Sequence, residues 1–424
     1  MKSTRNLAAL AAVVGLVSLG PAATDAAAGN EQRIVVTPSY DDSGIQDTDG
    51  IQQALAACAS SGEGCTVQLT AGTYYVKEIT ALGFQGRLRG CGKGRTVLEV
   101  VPPLTRSPVF VFVGGNVDVS DLTLRAPDAP GTATTSGDPT LVGVVFVRDG
   151  SASRFALERV RMETGSLGMP VYVPNQPTVH IGVWYGGPPT GGALRVRACS
   201  FDNVPFLLGN DPLSEARITF SHNVISRYYF GVQLADAFGA RIAVAHNVAR
   251  EPLVDPTGIG LFFLVENHGP SPVPTRSLVD VHHNDVEAAG LAGFLFSDHA
   301  DVTAEKTLQV AVHRNRVAAT EVLFGGIASR WVDGLRVVRN VVNGTGSNAI
   351  GLGWGGPDPA PGQTDGYGRI VNNDVGNFQV TMSTILGYNV SPVWLGPWSH
   401  HTRVITDEPG LVYDEGVDNR VIGR

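Results

Sequence analysis

The chain has 424 residues, 43% hydrophobic and 17% charged, with 52 Gly, 26 Pro and a net charge of −8. Such a composition excludes a disordered chain and suits an all-β fold with many turns. Lys2, Lys77, Lys93 and Lys306 are the only lysines, and no run of basic residues stands out along the sequence, so no nucleic-acid partner is expected. The acidic balance also disfavours purely electrostatic capture of a polyanion, unless a local arginine cluster overrides it.

The first 28 residues read as a signal peptide. Lys2 and Arg5 form a basic start, Leu7 to Leu19 an apolar run, and Ala26-Ala27-Ala28 a cleavage region of small residues. The expectation is a secreted protein, extracellular or periplasmic. The apolar run is too short to span a bilayer comfortably and no later run does better, so no membrane partner is expected. Residues 29–424 are expected to form one domain. That length exceeds a usual single core, but a solenoid escapes the limit because each repeat packs only on its neighbours. A monomer is expected.

Asp47 to Cys58 carries the one predicted helix, within about residues 44–60. Asp49 stands as its N-cap with Gln52 three residues on, and Ile51, Ala54 and Leu55 line one face. Cys58 and Cys65 flank a short Ser/Gly loop and are the best disulfide pair, which export permits. Cys91 and Cys199 read as small buried apolar residues. Strand-like runs follow at Thr66–Leu69 and Ala71–Val76, then a glycine-rich turn at Gly90, Gly92 and Gly94. No helix pattern follows those glycines, so they form no dinucleotide loop.

Further on, a phrase repeats: a short β run, a polar residue and Asn, a β-branched residue, a variable loop, then Gly or Ala with apolar residues. Arg217-Ile-Thr-Phe-Ser-His-Asn-Val-Ile225 is the clearest copy and Arg241-Ile-Ala-Val-Ala-His-Asn-Val248 the next. The recurring asparagines are Asn223, Asn247, Asn284, Asn315, Asn340 and Asn373. Leu122, Val160 and Cys199 take the equivalent place in earlier, degenerate copies, and Asn419 begins a final partial one. Spacing is loose, as loops of variable length require. Coils of three short strands, stacked in parallel roughly 4.8 Å apart, account for the phrase. Ile218/Phe220 and Val232/Leu234 alternate inward. Asn is expected to supply the left-handed bend between two strands, and its amide to bond to the next one up the stack. Nine to eleven coils would span roughly 45 Å. Hairpin signals are scarce, with Asn343-Gly344 the only Asn-Gly, so a propeller or sandwich does not fit.

The helix Asp-x-x-x-Ile-Gln-x-Ala-Leu, the segment Val-x-Leu-x-Ala-Gly-Thr-Tyr and the turn Gly-x-Gly-x-Thr-x-Leu together resemble the start of the pectate-lyase-like superfamily. The resemblance implies a right-handed parallel β-helix with a helix capping its open end, where an apolar cross-section and bare strand edges would otherwise meet water. It further implies an extended polysaccharide as partner, held along the sheet built from the Gly-apolar runs. Outward and strand-end residues on those runs are Trp184, Tyr185, Asn210, Asp211, Gln233, Asp236, Glu266, Asn267, His268, Asp298, His299, Arg330, Trp331, Trp354 and Tyr388.

Carboxylates on adjacent coils would lie within the separations used for glycoside hydrolysis. Asp236, Glu266 and Asp298 are therefore the acid/base candidates, with His268 and His299 as alternative bases and Arg330 as the cation facing a substrate carboxylate. Trp184, Tyr185, Trp331, Trp354 and Tyr388 would stack on sugar faces, and Asn210, Asp211, Gln233 and Asn267 would hydrogen-bond them. His222, His246 and His283 precede ladder asparagines and belong to turns on another face. His282-His283 and His400-His401 lack the carboxylate and spacing of a zinc site. No cofactor is expected; calcium held by clustered Asp and Glu oxygens stands as the alternative. The Asp-Asp, Gly-His-Gly and Arg-Ile-Lys set of polygalacturonases is absent, and Asp298-His299 lacks the Trp-Ile that precedes Asp-His in pectate lyases. Three readings stand: a glycan-cleaving hydrolase or lyase, a non-catalytic glycan-binding or adhesion β-helix, and a polysaccharide epimerase.

Overall fold

The computed structural model describes residues 32–424 except 62–63, 102–108, 127–140, 151, 165–180, 188–190, 203–206, 210–212, 229, 254–259, 269–274, 300–306, 355–364, 383 and 386–387. The segment read as a signal peptide, residues 1–28, lies outside the described residues. The chain winds into a right-handed parallel β-helix. Among the described residues three long sheets of 14, 11 and 12 strands form its walls, every pairing in them parallel. Sheet A collects the strands before the Asn turn, such as Arg217–Ser221 and Arg241–Ala245. Sheet B collects those after it, such as Val224–Tyr228. Sheet C collects the Gly-apolar runs, such as Phe230–Ala235, Leu261–His268 and Ala292–His299. The 14 strands of sheet A exceed the nine to eleven coils expected, because the first and last coils carry no ladder asparagine to mark them.

Register explains the alternation. Phe220, Val244, Val281, Val312, Val337, Ile370 and Val404 occupy one inward row of sheet A, paired in unbroken sequence. Each is nearly inaccessible to water, and burying a side chain of this size contributes about 1.5–3 kcal/mol. Aromatic rings add a second row, Phe112 on Phe146 at 5.7 Å and Phe146 on Phe155 at 4.8 Å.

Every corner between sheets A and B is set by two neighbouring residues. Asn223 Nδ2 donates to Asn247 Oδ1 at 3.0 Å, Asn247 to Asn284 at 2.9 Å, Asn284 to Asn315 at 2.9 Å, Asn315 to Asn340 at 2.9 Å and Asn340 to Asn373 at 2.9 Å. Each Oδ1 also accepts the backbone N–H of the Asn before it, and the amide of Cys199 joins through Asn223. Asn419, expected to begin a final copy, lies outside this row: it precedes the sheet A strand Arg420–Gly423, in register with Thr402, and accepts the Thr402 amide at 2.8 Å at the corner between sheets C and A. The left-handed bend falls one residue earlier than expected. His222, His246, His283, Arg314, Arg339 and Asn372 have φ between 53° and 57°, whereas the ladder asparagines turn inward and are buried or nearly so. Only the inward position can reach the neighbouring coil's amide, so the exposed residue before it takes the bend.

Helix α1 (Ile45–Ser61) caps the first coil with Ile51, Leu55 and Cys58 buried. It starts four residues before the expected cap. Ser43 Oγ accepts the Ile45 amide and Asp41 accepts that of Ser43. Asp49 lies inside the helix, and Gln52 pairs with Thr80, whose amide it accepts at 2.9 Å. Cys58 and Cys65 form the expected disulfide, tying the helix end to Cys65–Leu69, the second strand of sheet A. Cys199 is buried, and burial pushes its thiol up to about 12. Cys91 is exposed, against expectation, because it stands on the glycine turn after the strand Gln85–Arg89. Among the described residues no helix is long and apolar enough to cross a membrane.

Candidate functional site

Sheet C carries most of the candidates, and its register sorts them. Gln233 pairs with Leu208 on one side and Leu264 on the other, and Trp184 pairs with Leu208. This central outward row continues through Leu295, Ala328, Gly351 and Trp394. Trp184 and Gln233 are half-buried. Higher up, Leu264, Ala328 and Trp394 are buried. Trp354 closes over Ala328 there, its ring 4.4 Å from Trp394 and 5.3 Å from Phe324. It is 2% exposed and makes part of an apolar covering, not the sugar platform expected of it. Tyr185 is corrected likewise. It pairs with Phe146 in the inward row and is 1% exposed, with the Arg148 guanidinium over its ring at 5.2 Å.

The next outward row holds the polar groups. Ala235, Glu266, Ser297 and Arg330 face one another across four consecutive coils. Glu266 and Arg330 are half-buried and Ser297 is buried. Asp236, also half-buried, has φ 52° at the strand end, and its amide donates to the Glu266 carbonyl at 2.9 Å. The Asp236 and Glu266 carboxyl groups therefore belong to adjacent coils. The Arg330 guanidinium lies 3.7 Å over the ring of Trp331, which is itself buried. Burial holds the Arg330 pKa below its ordinary value, and Glu266 and Asp365 work in the opposite direction. Ser297 Oγ and Arg330 Nε are buried and have no hydrogen-bond partner among the described residues. Two orphan donors beside one carboxylate, in a single row, are unusual in a folded core.

At the strand ends the candidates turn inward. Asp298 is 1% exposed, and its carboxylate accepts the Thr307 amide at 2.6 Å, the Thr307 hydroxyl at 2.8 Å and the Leu308 amide at 3.1 Å. Its neighbour in register, Asn267, is fully buried, accepts the Ala237 amide at 2.8 Å and donates to Thr307 Oγ1 at 2.8 Å. Both residues fasten the corner between sheets C and A, so neither has the exposed polar group that chemistry or sugar binding needs. His268 and His299 pair with each other one residue further on, and their side chains lie outside the described residues, as do Asn210 and Asp211. Tyr388 stands in a short antiparallel pair with Thr384–Ile385, off the three main sheets.

Sequence reasoning missed two groups. Ser297 was hidden between Phe296 and Asp298, and only register with Glu266 and Arg330 singles it out. The other is a cleft of about 580 Å³ on the outer face of sheet A, lined by Gln85, Arg87, Asn116, Asp118, Arg154, Arg195 and Arg217. Arg154 and Arg217 open their strands, Arg87 and Arg195 stand third in theirs, and in-register stacking gathers them in two neighbouring rows. Burial, with Glu158 nearby, raises the Asp118 pKa, and Asp118 Oδ1 has no partner among the described residues.

No family model matches the chain, and no curated protein matches it. Solved structures do. The Dettilon tailspike protein superimposes with a TM-score of 0.58 at 13% identity, over 91% of this chain and 70% of that one. A mutant tailspike protein of E. coli bacteriophage HK620 in complex with a pentasaccharide gives 0.52 at 12% identity, over 91% and 75%. Another mutant of that tailspike, again with pentasaccharide, gives 0.50 at 13% identity, over 91% and 76%. At these identities the likeness is one of fold, and with the stacked coils, the asparagine row and the capping helix it places the chain among right-handed parallel β-helices.

Proposed function

We propose that this is a secreted polysaccharide-active protein that cleaves an extended glycan along the edge of sheet C, with Glu266 as acid/base. The observation that carries the reading is the row Glu266–Ser297–Arg330, where two buried donors lack partners beside a half-buried carboxylate. Asp236, on the adjacent coil, is the second carboxyl group that hydrolysis requires, one coil step being about 4.8 Å. Ser297, one coil along, and Arg330, two coils along, would hold sugar oxygens or a sugar carboxylate, and the Trp331 ring supports the flat face of the guanidinium. The disulfide supports export to an oxidising compartment. The pentasaccharide held by two of the fold neighbours supports a glycan as partner.

The test is a screen of the purified chain against neutral and acidic polysaccharides, read by new reducing ends and by ultraviolet absorbance of unsaturated products. Reducing ends without absorbance are expected, falling about 10²–10⁴-fold in Glu266→Gln. Full activity in that variant removes the site. Absorbance gains would replace hydrolysis by elimination. A second reading, glycan binding without cleavage, is favoured by the open arginine-lined cleft of sheet A. It predicts salt-sensitive binding of acidic glycans that Arg154→Ala weakens and Glu266→Gln leaves unchanged, with no product formed.

A further inference from the structure

The histidines that precede the ladder asparagines were set aside as turn residues, but coil stacking gathers them. His222, His246 and His283 hold equivalent bends on three successive coils, and their rings stack at 4.9 Å centroid separation in both steps. His282 ends a strand of sheet A beside them, and its ring stacks at 5.1 Å on His313 of the next coil. The pair His282-His283 therefore has a third imidazole above it. One ring nitrogen from each of His246, His282 and His283 lies within 4.8 Å of the others. The sequence spacing conceals this, since 36 and 37 residues separate them while Ala245 and His282 are direct partners in register.

The geometry points to a divalent transition-metal site built by His246, His282 and His283. The Nδ1 atoms of His282 and His283 are 2.9 Å apart, near the roughly 2.9–3.4 Å between neighbouring ligands when each metal–nitrogen bond is about 2.0–2.1 Å. His246 and His283 are exposed, so the His246 ring is free to swing the remaining distance inward. Three imidazoles with no carboxylate or thiolate suit zinc, copper or nickel, and would not select calcium or magnesium. Water would complete the sphere. His313 Nε2 donates to Asp280 Oδ1 at 3.0 Å, fixing the ring that His282 packs against. The site joins the coil of His246 to that of His282 and His283, so a bound ion clamps two coils together on the corner between sheets A and B, away from the sheet C row.

Zinc ions titrated into the tag-free full chain, followed by calorimetry, test this directly. One equivalent is expected to bind and to raise the thermal midpoint, because an ion held only by the folded state stabilises it. His246→Gln and His283→Gln are each expected to weaken binding about 10- to 100-fold and to cancel the rise. His400→Gln with His401→Gln, which removes the other adjacent pair with its 3.0 Å Nδ1 contact, should leave both unchanged. These side chains are accessible, and circular dichroism of each variant establishes that it is folded. Should one fail to fold, His282→Gln replaces it. Absence of binding in the parent chain, unaltered binding in the two single variants, or loss confined to the His400/His401 variant overturns the site.

Discussion

Glu266 and Asp298 look equivalent as letters near the ends of neighbouring strands, and the structure separates them. Replacing Asp298 by Ala removes a carboxylate that accepts two backbone amides and one hydroxyl, all in a corner where Asp298 and Thr307 are 1% and 4% exposed. The Thr307 and Leu308 amides are left without an acceptor, at about 1–3 kcal/mol each. The Thr307 hydroxyl can still accept from Asn267, so its loss adds little. The cost is therefore about 2–6 kcal/mol, felt first as opening of the corner between Ala292–His299 and Leu308–His313. Glu266→Gln keeps the shape of a half-buried side chain and should change stability by less than about 0.5 kcal/mol. Urea midpoints, with hydrogen exchange of the Thr307 and Leu308 amides, measure the first effect, and turnover on the cleaved glycan measures the second. Asp298→Ala should exchange these amides faster while its folded fraction keeps its turnover. An Asp298→Ala protein as stable as the parent but inactive would refute the reasoning and return the carboxylate to the chemistry.

Other consequences can be measured with the same assays. Asn284→Ala leaves the Asn247 backbone amide and one Asn247 Nδ2 hydrogen without their acceptor in the interior and should cost about 2–5 kcal/mol, seen as faster exchange at Asn223, Asn247 and Asn284. An unchanged urea midpoint would show that the row is incidental. Replacing both Cys58 and Cys65 by Ser releases a closure of seven positions and should cost about 2.5 kcal/mol by the loop-entropy relation, read as a lower midpoint that reductant no longer shifts. Asp118 has its pKa raised by burial and by Glu158, so the folded state holds that proton more tightly than the unfolded one. Its favourable contribution is present at acid pH and is lost as pH rises through the folded pKa. Asp118→Asn should therefore raise the midpoint at neutral pH and give no gain below the ordinary carboxylate pKa of 3.8, and a lower midpoint at neutral pH would contradict this.

The coil was legible because one residue type recurs at one structural position. A buried Asn with both amide atoms in use bonds the coil before it and the coil after it, so six copies mark six successive corners despite loops of very different length. The bend was placed on the Asn because two adjacent polar residues share each corner and the letters do not say which faces in. Alternation reads inward and outward correctly within a strand, as for Val232 and Leu234, and fails where the strand ends. There Asn267 and Asp298 curl inward to meet Ala237 and Thr307, residues supplied by connections whose path no periodicity encodes. Trp354 failed for a related reason. What covers an outward side chain is decided by other segments, here Phe324 and Trp394.

The same argument explains where chemistry can sit. On the upper coils the central outward row of sheet C is apolar, with Leu264 and Ala328 out of water, so a hydrophilic polymer has little to bind there. One position further along each strand the row changes to Glu266, Ser297 and Arg330. One more and the side chains are committed to the corner through Asn267 and Asp298. The polar row is thus a single residue wide, bounded by packing on one side and by turn hydrogen bonds on the other. It runs along the solenoid axis, with coils rising about 4.8 Å, so a ligand that uses Glu266 together with Arg330 must extend along at least three coils. This direction of the polar row suits an extended chain of sugars.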